Sequence, residues 1–192
     1  AWEGEDETIV SARKRDERLA DVPLSATVIG GAELEQAGTQ SVRDAAARLP
    51  NTVFSEFSSR RLSFPFVRGV GSGTNDPAVI TYIDDVPQFG FGGTNLPLVA
   101  VERIEFLRGP QGTLYGRSAP GGLIHVHGRR PSSERAIDLG FGTGNFDLRE
   151  YSGSYSGALG GDFLGDFAAL NSEREGYTKN DFTGNRVDDR DA

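Results

Sequence analysis

The sequence contains no cysteine and no methionine. The first absence excludes a disulfide scaffold, a thiolate zinc site and thiol chemistry. The second means that the chain does not open on its own start codon, so it reads as the mature front portion of a longer protein. Long apolar runs are also missing. A membrane-spanning helix needs roughly 18 apolar residues, whereas the best stretch here, Leu96 to Val101, is short and carries Pro97. No positively charged start is followed by an apolar run, so no signal peptide is visible. Basic residues are few, with 20 Lys and Arg against 28 Asp and Glu for a net charge of -8. Without a basic block, nucleic acid is not expected as a partner, because phosphate binding needs clustered Lys and Arg. Apolar residues reach only 36% beside 26 glycines, which is thin for a self-sufficient core. None of this excludes a membrane β-barrel, whose alternating strands leave hydropathy low.

What is present falls into blocks. Residues 1–21 are charged, with Glu3, Glu5, Asp6 and Glu7 followed by Arg13, Lys14, Arg15 and Arg18. Only Thr8-Ile9-Val10 interrupts them with β-branched residues, so the block reads as a disordered tail carrying one short sticky segment. From Val22 to Pro131 the pattern is mixed. Residues 26–29 suggest a strand, and 31–37 and 41–49 suggest helices, the second having Val42, Ala45, Ala46 and Leu49 at helical spacing and a stop at Pro50. Short strands are then expected at 52–57, 63–70, 79–84, 104–108 and 122–126, which suggests a small α+β domain. Asp76 to Leu98 is a loop-rich stretch centred on Phe89-Gly90-Phe91-Gly92-Gly93, and a loop this long is functional or mobile. After Pro131, Ile137, Leu139 and Phe141 alternate with small and polar residues. Tyr151 and Tyr155 follow in a second segment, and Phe163, Phe167 and Ala169 in a third. Segments of about ten alternating residues match membrane-barrel strands, although a soluble meander has the same period.

No enzymatic set emerges. Gly116-Arg117-Ser118-Ala119-Pro120 has Pro120 where a nucleophile elbow needs glycine. Asp84-Asp85 lacks the spacing of a calcium loop. Gly69-Val70-Gly71-Ser72-Gly73 fits neither dinucleotide nor P-loop spacing. His125 and His127, two apart on an expected strand, face the same way and could serve a metal. They have no third ligand nearby in the sequence, so they read as surface or interface residues, with no metal expected.

The remaining motifs are ordered modules. Glu7-Thr8-Ile9-Val10-Ser11, Phe66-Val67-Arg68-Gly69-Val70, Val79-Ile80-Thr81-Tyr82-Ile83-Asp84-Asp85-Val86-Pro87, the run from Val101 to Gly116 and Ala119-Pro120-Gly121-Gly122-Leu123-Ile124 follow one another along the chain. In this order and spacing they resemble the TonB box and plug domain of TonB-dependent outer-membrane receptors. Ile137 to Asn180 is similar to the first barrel strands of that family. Two departures stand out. Ser118 replaces a common Asn, and His125-Val126-His127-Gly128 stands where an apolar strand followed by Thr-Lys or Ser-Lys is commoner.

The resemblance implies an α+β plug domain, a small mixed sheet with short helices, followed by the first antiparallel strands of a transmembrane β-barrel. The expected division is a tail with its TonB box at 1–21, the plug at 22–131, and the first strands of an incomplete barrel at 132–192. The implied function is TonB-energised import across the outer membrane of a Gram-negative bacterium, foremost of a ferric siderophore. It requires no cofactor and no catalysis. The alternative is a plug-like module that sequesters ligand or partner without transporting. The implied partners are a TonB-type periplasmic energy transducer at Glu7, Thr8, Ile9, Val10 and Ser11, a nutrient chelate, and outer-membrane lipid. Arg68 and Arg108 are implied to latch the plug to barrel glutamates, with an internal pair to Glu102 or Glu105 as the alternative. Arg60, Arg61, Asn75, Phe89, Phe91 and Asn95 are the expected ligand contacts on apical loops.

Overall fold

The computed structural model describes residues 9–11, 17–57, 59–72, 77–88, 90, 93–110, 119–184, 186 and 190–191, with backbone alone at 57, 59–62 and 190–191. The chain divides into two compact units, Ala1–Gly128 and Arg129–Ala192.

The first unit is built on a mixed five-stranded sheet of β3 (Ser25–Gly30), β9 (Val101–Arg108), β10 (Gly122–Gly128), β7 (Val79–Ile83) and β8 (Val86–Pro87), in that spatial order. β10 runs parallel to β7 and antiparallel to β9. The central strands are buried on both faces, and their buried residues are mostly apolar on both sides, with Thr81, Glu105 and His125 as polar exceptions. On one face Ile29, Ile104, Phe106, Ile124 and Val126 pack against Leu34 of α1 (Gly31–Gln36) and Val42, Ala45 and Ala46 of α2 (Val42–Ala46). Helices of six and five residues are too short to persist alone, so this burial holds them. A cap assists α2, whose Asp44 amide donates to the Ser41 hydroxyl oxygen at 3.3 Å. The opposite face carries Ile80, Tyr82, Leu107 and Leu123, covered by Val10 and Val22 with Leu19 and Leu24 packed beside them.

A separate three-stranded ribbon joins β4 (Thr52–Phe57), β5 (Ser59–Val67) and β6 (Val70–Gly71). Its second turn is Arg68-Gly69, with φ of 52° and 78°, and the β7–β8 turn is Asp84-Asp85, with φ of 45° and 66°. Two consecutive positive-φ residues are what a two-residue hairpin turn with the twist of its strands requires. The strand expected at 63–70 is therefore broken by this turn into β5 and β6. At Gly122 a side chain is impossible, because φ is +139° and a Cβ would lie 2.2 Å from the Leu107 carbonyl oxygen.

The expectation of a disordered tail is corrected for the described part of it. β1 (Ile9–Val10) pairs antiparallel with β2 (Glu17–Arg18), and Leu19–Asp21 forms a 3-10 turn. Val10 is fully buried. Composition predicted disorder because the segment has too few apolar residues to build a core of its own, but Val10 and Leu19 use one that the sheet already provides.

The second unit is an antiparallel meander of β11 (Ala136–Gly144), β12 (Leu148–Gly160), β13 (Phe163–Arg174) and β14 (Arg190–Asp191). Register places Ile137 opposite Tyr155 and then Phe167, and Phe141 opposite Tyr151. One face therefore gathers Ile137, Leu139, Phe141, Tyr151, Tyr155 and Phe167. The other carries Asp138, Glu150, Ser154 and Ser172, with Ser154 Oγ donating to Asp138 at 3.0 Å and Ser172 Oγ to Glu150 at 2.9 Å. The apolar face is open, Leu139 being 85% and Phe141 68% exposed.

Candidate functional site

The polar cluster with the most unusual chemistry lies where the tail meets the sheet. β9 and β10 pair so that Glu105 stands opposite His125 and Arg103 opposite His127. Alternation along each strand turns all four side chains to the tail-covered face. Glu105 and His125 are buried, with side-chain exposures of 0% and 1%, and His127 is nearly so at 12%.

Glu105 is the hub. The Ser11 amide donates to both of its carboxylate oxygens at 3.0 Å. Arg103 donates through Nε to Glu105 Oε1 at 2.9 Å and through a terminal nitrogen to Ser11 Oγ at 3.1 Å. Its other terminal nitrogen donates to Glu102 at 2.7 Å. His127 Nε2 lies 3.0 Å from Glu105 Oε1. Burial by itself would raise the Glu105 pKa, but His127, the Ser11 amide and Arg103 together hold it below the usual carboxylate value. The buried charge is thus compensated on several sides, as a desolvated carboxylate must be.

His125 has the opposite character. Its Nε2 accepts a hydrogen bond from the Asp85 amide at 3.2 Å, which places the proton of the neutral ring on Nδ1. Nδ1 is buried and has no hydrogen-bond partner among the described residues. Burial first, and then the charge of His127, push its pKa down to about 4. The two imidazoles stack with centroids 3.9 Å apart. One ligand atom from each of Glu105, His125 and His127 lies within 4.8 Å of the other two. The surface reading of the histidines is therefore corrected, since they lie inside the domain beside a third potential ligand.

The other expected site residues fall as follows. Ile9, Val10 and Ser11 belong to the docked segment, while Glu7 and Thr8 lie outside the described residues. Arg68 is exposed in its hairpin turn and has no side-chain partner among the described residues. Arg108 ends β9 and donates to Thr27 Oγ1 at 3.1 Å, and its buried Nε has no partner among them. An internal pair of Arg108 with Glu102 or Glu105 is not formed: Glu105 projects from the opposite face of β9 and Glu102 lies six residues back along the extended strand. Arg60 and Arg61 lie on β5, their side chains outside the described set, as are Asn75, Phe89 and Phe91 altogether. Asn95 Oδ1 accepts from the Arg43 amide at 3.1 Å, which ties the loop to the first turn of α2.

The comparisons with known proteins agree with this fold. A family profile described as TonB-dependent Receptor Plug Domain matches residues 18–123. The chain belongs to the TonB-dependent receptor plug family. The pesticin receptor of Yersinia pestis is 38% identical over 128 residues, covering 65% of this chain and 19% of that receptor. The vitamin B12 transporter of Vibrio vulnificus is 29% identical over 182 residues, covering 92% of this chain and 29% of the transporter. The crystal structure of the ferric yersiniabactin uptake receptor from Yersinia pestis superposes with a TM-score of 0.79 at 32% identity, covering 86% of this chain and 26% of that one. The chain thus spans about a fifth to a third of the proteins it matches. Its relatives are outer-membrane receptors and transporters rather than enzymes.

The plug sheet explains why the sequence did not expose its own polar cluster. In the sequence Glu105 stands only as a possible partner for Arg68 or Arg108, and the histidines only as an isolated pair. The available signal is the departure at His125-Val126-His127, in a strand that is otherwise apolar.

Proposed function

We propose that this chain is the gate of a TonB-energised outer-membrane import receptor, with residues 1–21 as its tail, 22–131 as the plug and 132–192 as the first strands of the surrounding barrel. The observation that carries the reading is the sidedness of β11 to β13. An open apolar face backed by a hydrogen-bonded polar face is the pattern of strands with lipid on one side and a lumen on the other. A soluble binding module would leave the same aromatic face in water. A barrel of about 22 strands is large enough to need a plug.

The imported ligand is a ferric chelate. Supporting this choice over cobalamin, the ferric yersiniabactin receptor is 32% identical and the vitamin B12 transporter 29%. Arg60 and Arg61, which lie on β5 rather than on a loop, and Asn75, Phe89, Phe91 and Asn95 from the apical loops would face it, the arginines attracting an anionic chelate. Asn95 is the weakest of the six, since α2 already engages its carbonyl oxygen. Arg68 and Arg108 latch the plug to barrel carboxylates. The exposed guanidinium of Arg68 and the unpartnered Nε of Arg108 favour that role over an internal one.

The periplasmic transducer takes Glu7 to Ser11 by strand addition. Ile9 and Val10 are already extended, so less backbone entropy is lost than for a free coil, where five residues lose roughly 5–10 kcal/mol. Deleting Glu7 to Ser11 from the full-length receptor should abolish uptake and leave chelate binding intact. Uptake that survives the deletion overturns the assignment. Growth of the iron-starved source organism on single chelates identifies the cargo.

A further inference from the structure

We propose that Glu105, His125 and His127 form a binding site for a divalent transition-metal ion, and that this ion and the docked tail residue Ser11 compete for the Glu105 carboxylate.

The donor set is two imidazoles and one carboxylate, which suits zinc and its first-row neighbours and does not suit magnesium or calcium. The atoms are close to where such an ion needs them. They lie within 4.8 Å of one another, and ligands on a zinc ion with bonds of about 2.0–2.1 Å stand about 3.3 Å apart. Side-chain rotations close that difference, because all three residues project from adjacent paired strands whose backbones need not move. The His125 Nδ1 position is an independent sign. A buried ring nitrogen without a partner is rare and unfavourable in a packed interior, and a metal ion would satisfy it. His125 would then carry its proton on Nε2, giving up the bond it accepts from the Asp85 amide in exchange for donation to Asp85 Oδ1, 3.6 Å away, and a ligating histidine commonly donates its second nitrogen to a carboxylate in this way.

The competition follows from what Glu105 already does. Its oxygens accept from Ser11 and Arg103 at 2.9–3.0 Å, so a metal ion can enter only by displacing donors. Arg103 has a second carboxylate in Glu102 at 2.7 Å and can turn to it. The Ser11 amide spans both carboxylate oxygens at 3.0 Å, so whichever oxygen turns to the metal gives up a bond to Ser11. Metal entry therefore loosens the tail at Ser11, and a docked tail weakens metal binding by the same factor. None of this depends on residues 7–11 being a TonB box, so it stands or falls apart from that assignment.

The test uses the full-length receptor in detergent, stripped with a chelator, and zinc chloride alone as the probe. Titration calorimetry should give one zinc ion at this site, with magnesium chloride giving none. His127→Gln should weaken binding at least about tenfold. His127→Cys supplies a thiolate in its place and should restore binding, which separates loss of a ligand from loss of folding. Hydrogen exchange at the Ser11 amide should accelerate at least tenfold with zinc in the wild type and stay unchanged by zinc in His127→Gln. No zinc uptake, or uptake that ignores His127→Gln, overturns the site. Zinc held by the histidines with Ser11 protection unchanged overturns the competition.

Discussion

The amide of Ser11 donates to both carboxylate oxygens of Glu105, at 3.0 Å each, across 94 positions of sequence. This contact, the burial of Val10 and the β1–β2 pairing are what hold the tail to the underside of the sheet. A charge-assisted hydrogen bond of this kind contributes about 1.5–3 kcal/mol, enough to favour docking and small enough to be reversed.

Glu105→Gln keeps the shape of the side chain and removes its charge. The tail should undock about 10- to 150-fold more readily, the factor that corresponds to about 1.5–3 kcal/mol. Exchange at the Ser11 amide reads this directly, and protection equal to wild type would show that Val10 burial and the β1–β2 pairing hold the segment without the charge.

Acid should loosen the plug sheet before it reaches the carboxylate range. His125 is buried neutral, with its pKa lowered from 6.5 to about 4. Below pH 6.5 the unfolded chain takes up a proton that the folded one refuses, so this stability is complete above pH 6.5 and drains as pH falls towards 4. The full loss is about 3 kcal/mol from the 2.5-unit difference. Glu105, whose pKa is also lowered, adds a loss of the same sign at the acid end. Denaturant unfolding of the plug at pH 7.5 and 5, in chelator, measures the slope, and His125→Phe should flatten it. A slope that His125→Phe leaves intact would assign the effect to other groups.

Arg68 and Arg108 should separate in their effects. Arg68→Ala removes an exposed turn side chain and should change plug stability by less than about 0.5 kcal/mol, yet make the plug of the full receptor easier to digest or unfold within its barrel. Arg108→Ala also loses the bond to Thr27 and should weaken the β3–β9 edge as well. Equal protease resistance of Arg68→Ala and wild type in the intact receptor would remove Arg68 from the latch.

Leu139→Arg tests the sided sheet. On a lipid-facing strand it should cost about 2–4 kcal/mol near the membrane midplane and lower the yield of folded receptor in outer membranes. Gly142→Ser, on the polar face of the same strand, where a Cβ meets Glu150 Oε2 at an ordinary 3.4 Å, should be tolerated better. The reverse ranking would place the apolar face away from lipid.

The local elements were legible because local rules make them. Thr52 to Phe57 is a strand as the alternation indicates, and α2 stands where Val42, Ala45 and Ala46 repeat at helical spacing, although it stops at Ala46 rather than Leu49. The split of the expected 63–70 strand was harder to see, since Arg68 gives no sign in composition that it will take a positive φ. Tail docking was not legible at all, because burial of Val10 depends on a surface made by residues far along the chain.

The sequence by itself determined the family, the placement of short strands and helices, and the sidedness of the last three long strands, since ordered motifs and side-chain periods are local properties. Only the tertiary structure decided which polar groups share a site. Glu105 meets His125 because β9 and β10 pair in one register, and both meet Ser11 because the tail folds back over that face. Strand order and register arise from burying the whole sheet at once, and no window of sequence contains them.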